Sequence, residues 1–296
     1  MAIVERKSIG ERAFHGVNIA LLVLLTFIFL YPMWHCLMAS FSEPTELIGY
    51  RGVLLKPIGF SLKGYETVLK NQNIVTGYLN TLFYAGIGSF INVLGTVIGG
   101  YCLSKRHMLF RRFLTIMMVF TMYVDFGLIP AFLNVRDLGL YDTRWAIILP
   151  AAINTYNLIV MRTAFSSLPP SLEESAMLDG ANDIVILFRI VLPLTKATLA
   201  VVILFYVVGH WNEWYACLVF LQDRKRFPLQ LFLREILISN SSTISSMEMN
   251  SLDSEHFLDE LIKYCSIIIS TVPILVAYPF VQKYFVTGVM IGAVKG

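Results

Sequence analysis

The chain has 296 residues, of which 56% are hydrophobic and 15% charged, with a formal net charge of +3. An ordinary soluble domain carries about 25% charged residues, and the mean hydropathy here is +0.68. These values exclude a soluble globular enzyme and describe a membrane protein, and the small net charge says little about partners.

Basic residues Arg6, Lys7 and Arg12 precede the first apolar run, which at 17–39 is longer than the roughly 7 to 15 residues of a signal-peptide core. An uncleaved first span is expected. Five further stretches, 78–103, 113–134, 144–165, 197–221 and 262–285, are long enough for a hydrocarbon core that needs about 20 residues. Nothing alternates at period two, so the fold class is an all-α membrane protein, a bundle of six transmembrane helices. Six spans put both termini on one side. The connector 104–112 holds Lys105, Arg106, Arg111 and Arg112, whereas 134–144 offsets Arg136 and Arg144 with Asp137 and Asp142, which places the termini in the cytoplasm. The domain organisation expected is a first span with its outer loop (1–77), a five-helix core (78–285) and a cytoplasmic tail (286–296).

The outer loop 41–77 reads as mostly irregular. Within the second span Gly95, Gly99 and Gly100 allow a neighbouring helix to approach closely, and prolines at 32, 130, 150, 273 and 279 predict kinks. A second outer loop, 222–261, starts with helical apolar spacing and continues into the polar tract SNSSTISSMEMNSLDSEH. That tract is either a mobile loop or a finger (240–258) that orders on an extracytoplasmic partner. Cys36, Cys102, Cys217 and Cys265 form no CxxC pair and read as packing residues.

Ionisable groups at membrane depth are costly and usually face a cavity or a partner. Asp125 and Glu213 qualify, the latter among Trp211, Asn212, Trp214 and Tyr215. Rings that stack on pyranose faces, with amides and a carboxylate for hydroxyls, suit a sugar-conducting path. An interfacial aromatic belt explains the same residues equally well. His35 and His210 have no second ligand at metal spacing and read as hydrogen-bonded helix residues. The sequence has no GxxxxGK[ST], HExxH or GxSxG, and no metal site, nucleic-acid face or catalytic residue is expected.

Residues 169–193, PPSLEESAMLDGANDIVILFRIVLP, are too apolar for a solvated loop and too interrupted for a span. Ser171 with Glu174 spells a capping box after Pro169 and Pro170, so a helix is expected from Leu172. Gly180 can end it, Asn182 or Asp183 can cap a second helix, and Pro193 closes the segment. Glu174 either completes the cap or presents its carboxylate to a basic group of a partner.

Glu174, Ser175, Ala176, Gly180, Ile190, Leu192 and Pro193 resemble the EAA motif, EAA-x3-G-x9-I-x-LP, of permease subunits of bacterial ABC importers, with Ser175 in place of the first Ala. GLIPAFLNVRDLGLYDTRWAIILP from Gly127, NTYNLIVMRTAF from Asn154, WNEW at Trp211 and GVMIGAVKG from Gly288 resemble maltose-type carbohydrate permeases, closest to the branch for oligosaccharides and polysaccharide fragments. The resemblance implies a type I importer transmembrane domain in the bacterial inner membrane. Its implied partners are a homologous permease chain, two ABC ATPases that bind ATP and Mg, an extracytoplasmic solute-binding protein and an oligosaccharide. This chain would hold no cofactor itself. It also implies that Glu174, Ser175, Ala176, Gly180, Ala181, Ile190, Leu192 and Pro193 dock on the ATPase, and that the 240–258 finger reaches the binding protein. A secondary transporter without an ATPase is the alternative. It would show inverted repeats, which are not seen, and would leave the EAA stretch without a purpose.

Overall fold

The computed structural model describes residues 9–50, 52–246 and 254–293 and is helical throughout; among the described residues the one β feature is an isolated bridge between Ser42 and Phe60. The all-α expectation holds. Two compact units are distinguished, residues 1–70 with 237–269 and residues 71–236 with 270–296.

In the first unit α1 (Ile9–Ser40) is exposed along its apolar middle and continues through Pro32. The segment expected to be irregular instead carries α2 (Pro44–Gly49), started by a proline at its first position, and α3 (Lys63–Lys70), which buries Gly64 and Val68. Ser40 fixes the end of α1, its hydroxyl 2.8 Å from that of Tyr65 and its carbonyl accepting from Cys265 Sγ.

In the second unit α4 (Gln72–Phe83), a π turn (Tyr84–Gly88) and α5 (Ser89–Ser104) form one 33-residue apolar helix. The third expected span is bent by 118° into α6 (Arg111–Tyr123) and α7 (Leu128–Asp137). Gly127 makes that bend at φ +83°, and its N–H donates to Asp125 Oδ1. The fourth, 144–165, is split into α8 (Trp145–Ile148) and α9 (Thr155–Ser166), because Pro150 lacks a donor and Asn154 starts a new helix by accepting from Asn157 N–H. After α10 (Pro170–Leu178), α11 (Asp183–Ile186), a π turn (Leu187–Val191) and α12 (Leu192–Leu194), the fifth span is α13 (Lys196–Asn212), broken before α14 (Tyr215–Phe220). Helix α15 (Leu229–Ser246) and the 40-residue α16 (Ser254–Ala293), which continues through Pro273 and Pro279, complete the chain.

Among the described residues, three single helices are long and apolar enough to cross a membrane, or five spans if each bent pair counts as one. The polar tract is helical at both edges, and its centre, 247–253, lies outside the described residues. The expected close approach is present. A Cβ on Gly99 would lie 2.9 Å from Leu158 Cδ1, and one on Gly100 3.2 Å from Met161 Cβ and 3.3 Å from the Arg162 backbone nitrogen, so the glycines let α5 settle onto α9. The cysteines are all free; Cys217 and Cys265 are buried as packing residues, whereas Cys102 is exposed.

One end of this unit is closed by polar bonds as well as by the packing of Phe227, Leu229 and Phe232. Asn80, 3% exposed, donates to the carbonyls of Lys225 and Phe227 at 2.7 and 3.0 Å and accepts from Arg144 at 3.0 Å. Tyr84 donates to the Arg226 carbonyl and Thr81 accepts from Leu229 N–H. Asp142 accepts from the N–H groups of Asp223 and Gln222 and pairs with Arg226 at 2.8 Å, contacts that hold its carboxyl below the usual range. Replacing Asn80 with Leu strands buried carbonyls at about 1–3 kcal/mol each, whereas Asn71→Ala removes only an exposed helix cap worth about 1 kcal/mol. Thermal unfolding of the purified protein in detergent should therefore show a clearly larger loss for Asn80→Leu.

Candidate functional site

Residues 169–193 fold as a helix, a turn and a helix, with a different start from the one expected. Pro170 keeps Pro169 extended at φ −59° and ψ 128° and itself takes the first helical position, where a missing N–H is harmless. Helix α10 thus begins two residues before Leu172, Ser171 falls inside its first turn, and no side chain caps it, so the capping box does not form. The end follows the expectation. Gly180 takes φ +83°, Gly180 N–H donates to Met177 O and Ala181 N–H to Ala176 O, a Schellman closure. Asn182 then caps α11 by accepting from Val185 N–H at 2.9 Å.

The motif residues divide by direction. Ala176 is buried, and Ala181, Ile190 and Leu192 pack with it against Val97 and Tyr101 of α5 and Met161 and Phe165 of α9. Glu174, Ser175, Gly180 and Pro193 are exposed, and Glu174 makes no hydrogen bond or ion pair among the described residues. Its neighbour Glu173, which the motif does not mark, turns inward to Lys105 Nζ at 2.5 Å. Lys105 Nζ also lies 3.7 Å from Asp183 Oδ1 and 4.2 Å from the Tyr101 ring centroid, and the Tyr101 hydroxyl donates to Asp183 at 3.3 Å. Burial alone would lower the Lys105 pKa; hydrogen bonds to Glu173 and Tyr101 and the attraction of the same groups outweigh it, and the pKa is raised. In the sequence Lys105 carried only an orientation signal.

The aromatic cluster is not brought together as one surface. Trp211 is 5% exposed, donates to the Ser270 carbonyl at 3.2 Å and meets Tyr78 edge to face. Asn212 bonds back to Val208 O, Trp214 lies under the Arg234 guanidinium at 4.3 Å, and Tyr215 is exposed. Of the six residues assigned to a path, Glu213 alone lines a cavity of about 490 Å³ in this unit, whose wall carries both apolar and polar groups. Asn92, Asn154, Asn157, Tyr206 and His210 line the same cavity, as do the paired rings of Tyr156 and Phe205, 6.3 Å apart. Asp125 lies elsewhere, in the bend between α6 and α7.

The cavity wall is held by its own bonds. The Tyr206 hydroxyl lies 2.7 Å from Thr96 Oγ1 and accepts from Asn154 N–H; Asn92 donates to Ala151 O, and its Oδ1 is 3.4 Å from His210 Nε2. His210 is thus a hydrogen-bonded helix residue, as expected. Glu213 Oε1 accepts from Ala216 N–H, while Oε2 and the Asn154 amide nitrogen make no bond among the described residues. Asn92 inside an apolar span and the paired asparagines of NTYN were signals available in the sequence.

The family described as binding-protein-dependent transport system inner membrane component matches residues 91–247. The polygalacturonan/rhamnogalacturonan transport system permease protein YtcP of Bacillus subtilis is 38% identical over 287 residues, 97% of this chain and 99% of the relative. Protein LplC of the same organism is 37% identical over 96% of each chain. Among solved structures, a chain of a bacterial ABC transporter involved in import of the acidic polysaccharide alginate superposes with a TM-score of 0.86 at 33% identity, over 94% of this chain and 99% of that one.

The geometry separates two groups of positions. In a variant lacking the exposed Cys102, single cysteines at 154, 156 and 213 should react with a water-soluble thiol reagent, whereas a cysteine at 211 should stay protected. Equal labelling at all four positions would contradict the cavity described here.

Proposed function

Because this chain belongs to the family of binding-protein-dependent transport system inner membrane components, we propose that it forms half of the membrane path of an oligosaccharide importer and takes its power stroke through residues 169–193. It is an ABC importer permease, a membrane component and not an enzyme. In the proposed assembly it pairs with a homologous permease, two separate ATPase subunits bind ATP and Mg, and a solute-binding protein delivers substrate from outside. The basic connector 104–112 and both termini lie in the cytoplasm, in keeping with the excess of Lys and Arg there.

The observation that carries the coupling role is the unpaired, exposed Glu174 on a loop whose opposite side is anchored by Ala176. A rigid surface that presents a free carboxylate suits docking to a cleft that contains an Arg or Lys. Closure of the ATPase pair would then rock the helices that the loop is packed on. The sugar reading is supported by relatives whose names specify polygalacturonan and rhamnogalacturonan, arabino-oligosaccharides and diacetylchitobiose. It is supported too by the cavity itself: the Tyr156 and Phe205 rings offer apolar faces, and Asn154 and Glu213 offer groups for hydroxyls. Among the described residues no Lys or Arg lines this cavity, so it suits the hydroxyl face of a sugar, and the carboxylates of an acidic oligosaccharide would be met elsewhere along the path.

Charge reversal tests the coupling role. In the assembled complex Glu174→Arg should lower ATPase activity stimulated by loaded binding protein at least about tenfold, as expected for loss of one partner of a desolvated charge pair. The complex should still copurify. Full stimulation in that variant would remove Glu174 from coupling.

A further inference from the structure

We propose that Lys105 is a positioning residue of the coupling loop, a side chain whose ion pairs tie both halves of the helix-turn-helix to the end of α5 so that the three elements move as one body. The proposal rests on the coupling role given above to residues 169–193.

Glu173 belongs to α10 and Asp183 opens α11, and the turn between them is closed by two backbone bonds around Gly180. Lys105 is the group that reaches across this turn, 2.5 Å from Glu173 and 3.7 Å from Asp183. Its side chain is only 10% exposed. An ammonium removed from water is costly unless it is paired, so any motion separating α10 from α11, or either from α5, is opposed by exposing or stranding that charge. Tyr101, one turn earlier on α5, closes the remaining side with its ring face and with a hydroxyl bonded to Asp183.

Two adjacent carboxylates therefore hold different tasks. Successive residues of an α-helix point about 100° apart, which turns Glu173 toward the membrane helix and Glu174 toward the outside. A push on Glu174 is separated from α5 by one residue and one ion pair. At about 1.5 Å per residue, Asn92 in the cavity wall stands roughly 20 Å along the same helix from Lys105, so a displacement of the loop reaches the cavity through a single rigid element.

The test compares Lys105→Met, Lys105→Arg and Glu173→Gln in the assembled importer, alongside Glu174→Arg. Three quantities are measured: basal ATPase activity, ATPase activity stimulated by loaded binding protein, and amide hydrogen exchange across 170–186. Lys105→Met should leave basal activity unchanged, lower stimulation about tenfold, within the usual range of allosteric coupling, and speed exchange in α10 and α11. Lys105→Arg should restore both readouts. Glu173→Gln, which keeps shape while removing charge, should act in the same direction and serves if Lys105→Met fails to assemble. Unchanged exchange overturns the proposal, and so does faster exchange with full stimulation, which would make Lys105 merely structural. Full stimulation in Glu174→Arg overturns the docking role of that carboxylate alone, because exchange in the Lys105 variants still judges the latch.

Discussion

Wherever a helix breaks at membrane depth, the freed backbone groups must find partners inside the protein, because hydrocarbon offers none. This chain meets that constraint with the few polar side chains its apolar segments contain. Asp125 takes Gly127 N–H at the bend after α6; Asn154 takes Asn157 N–H where α9 begins, while its own N–H goes to Tyr206; Thr195 donates to Val191 O before α13; and Glu213 takes Ala216 N–H ahead of α14. These bonds satisfy groups that the breaks free, and the breaks before α9 and after α13 bring Asn154 and Glu213 to the cavity. Asn154 and Glu213 spend only part of their bonding capacity on the backbone, which leaves an amide nitrogen and a carboxylate oxygen at the cavity.

The same constraint explains what could be read in advance. Turn chemistry is local, so Gly180 ending α10 and Asn182 capping α11 were legible from residue type and spacing. The close approach at Gly99 and Gly100 was legible as well, since nothing else explains small residues there. The capping box misled because Pro170 competes for the same helix start and wins by its fixed φ. Hydropathy reports composition but not continuity, so the bend was not legible: 113–134 is apolar enough for a span and yet bent by 118°.

The run from Trp211 to Tyr215 failed as a single surface for a geometric reason. The run straddles a break, with Trp211 and Asn212 ending α13, Glu213 and Trp214 between the helices and Tyr215 opening α14, so Glu213 reaches the cavity while Trp211 is buried against Tyr78 and Ser270. The residues that do share the cavity come from α5, from the start of α9 and from α13, a proximity created by helix packing. The Glu173–Lys105 pair was invisible for the same reason, being 68 residues apart in the chain.

The π turn at Tyr84–Gly88 acts as a register setting for the whole second unit. It places one residue more per turn than an α-helix would, between Asn80, which bonds the 225–227 segment, and Asn92, which faces the cavity. Shortening the turn by one residue would keep a continuous helix and the same hydropathy while rotating everything beyond it by about 100°. Asn92, the glycines that receive α9, and Lys105 would all swing out of phase with partners whose sequence had not changed. The two ends of this helix can thus be aligned only through five residues that have no polar side-chain partner beyond the Tyr84 hydroxyl, which makes the length of the segment, more than its composition, the quantity the fold depends on.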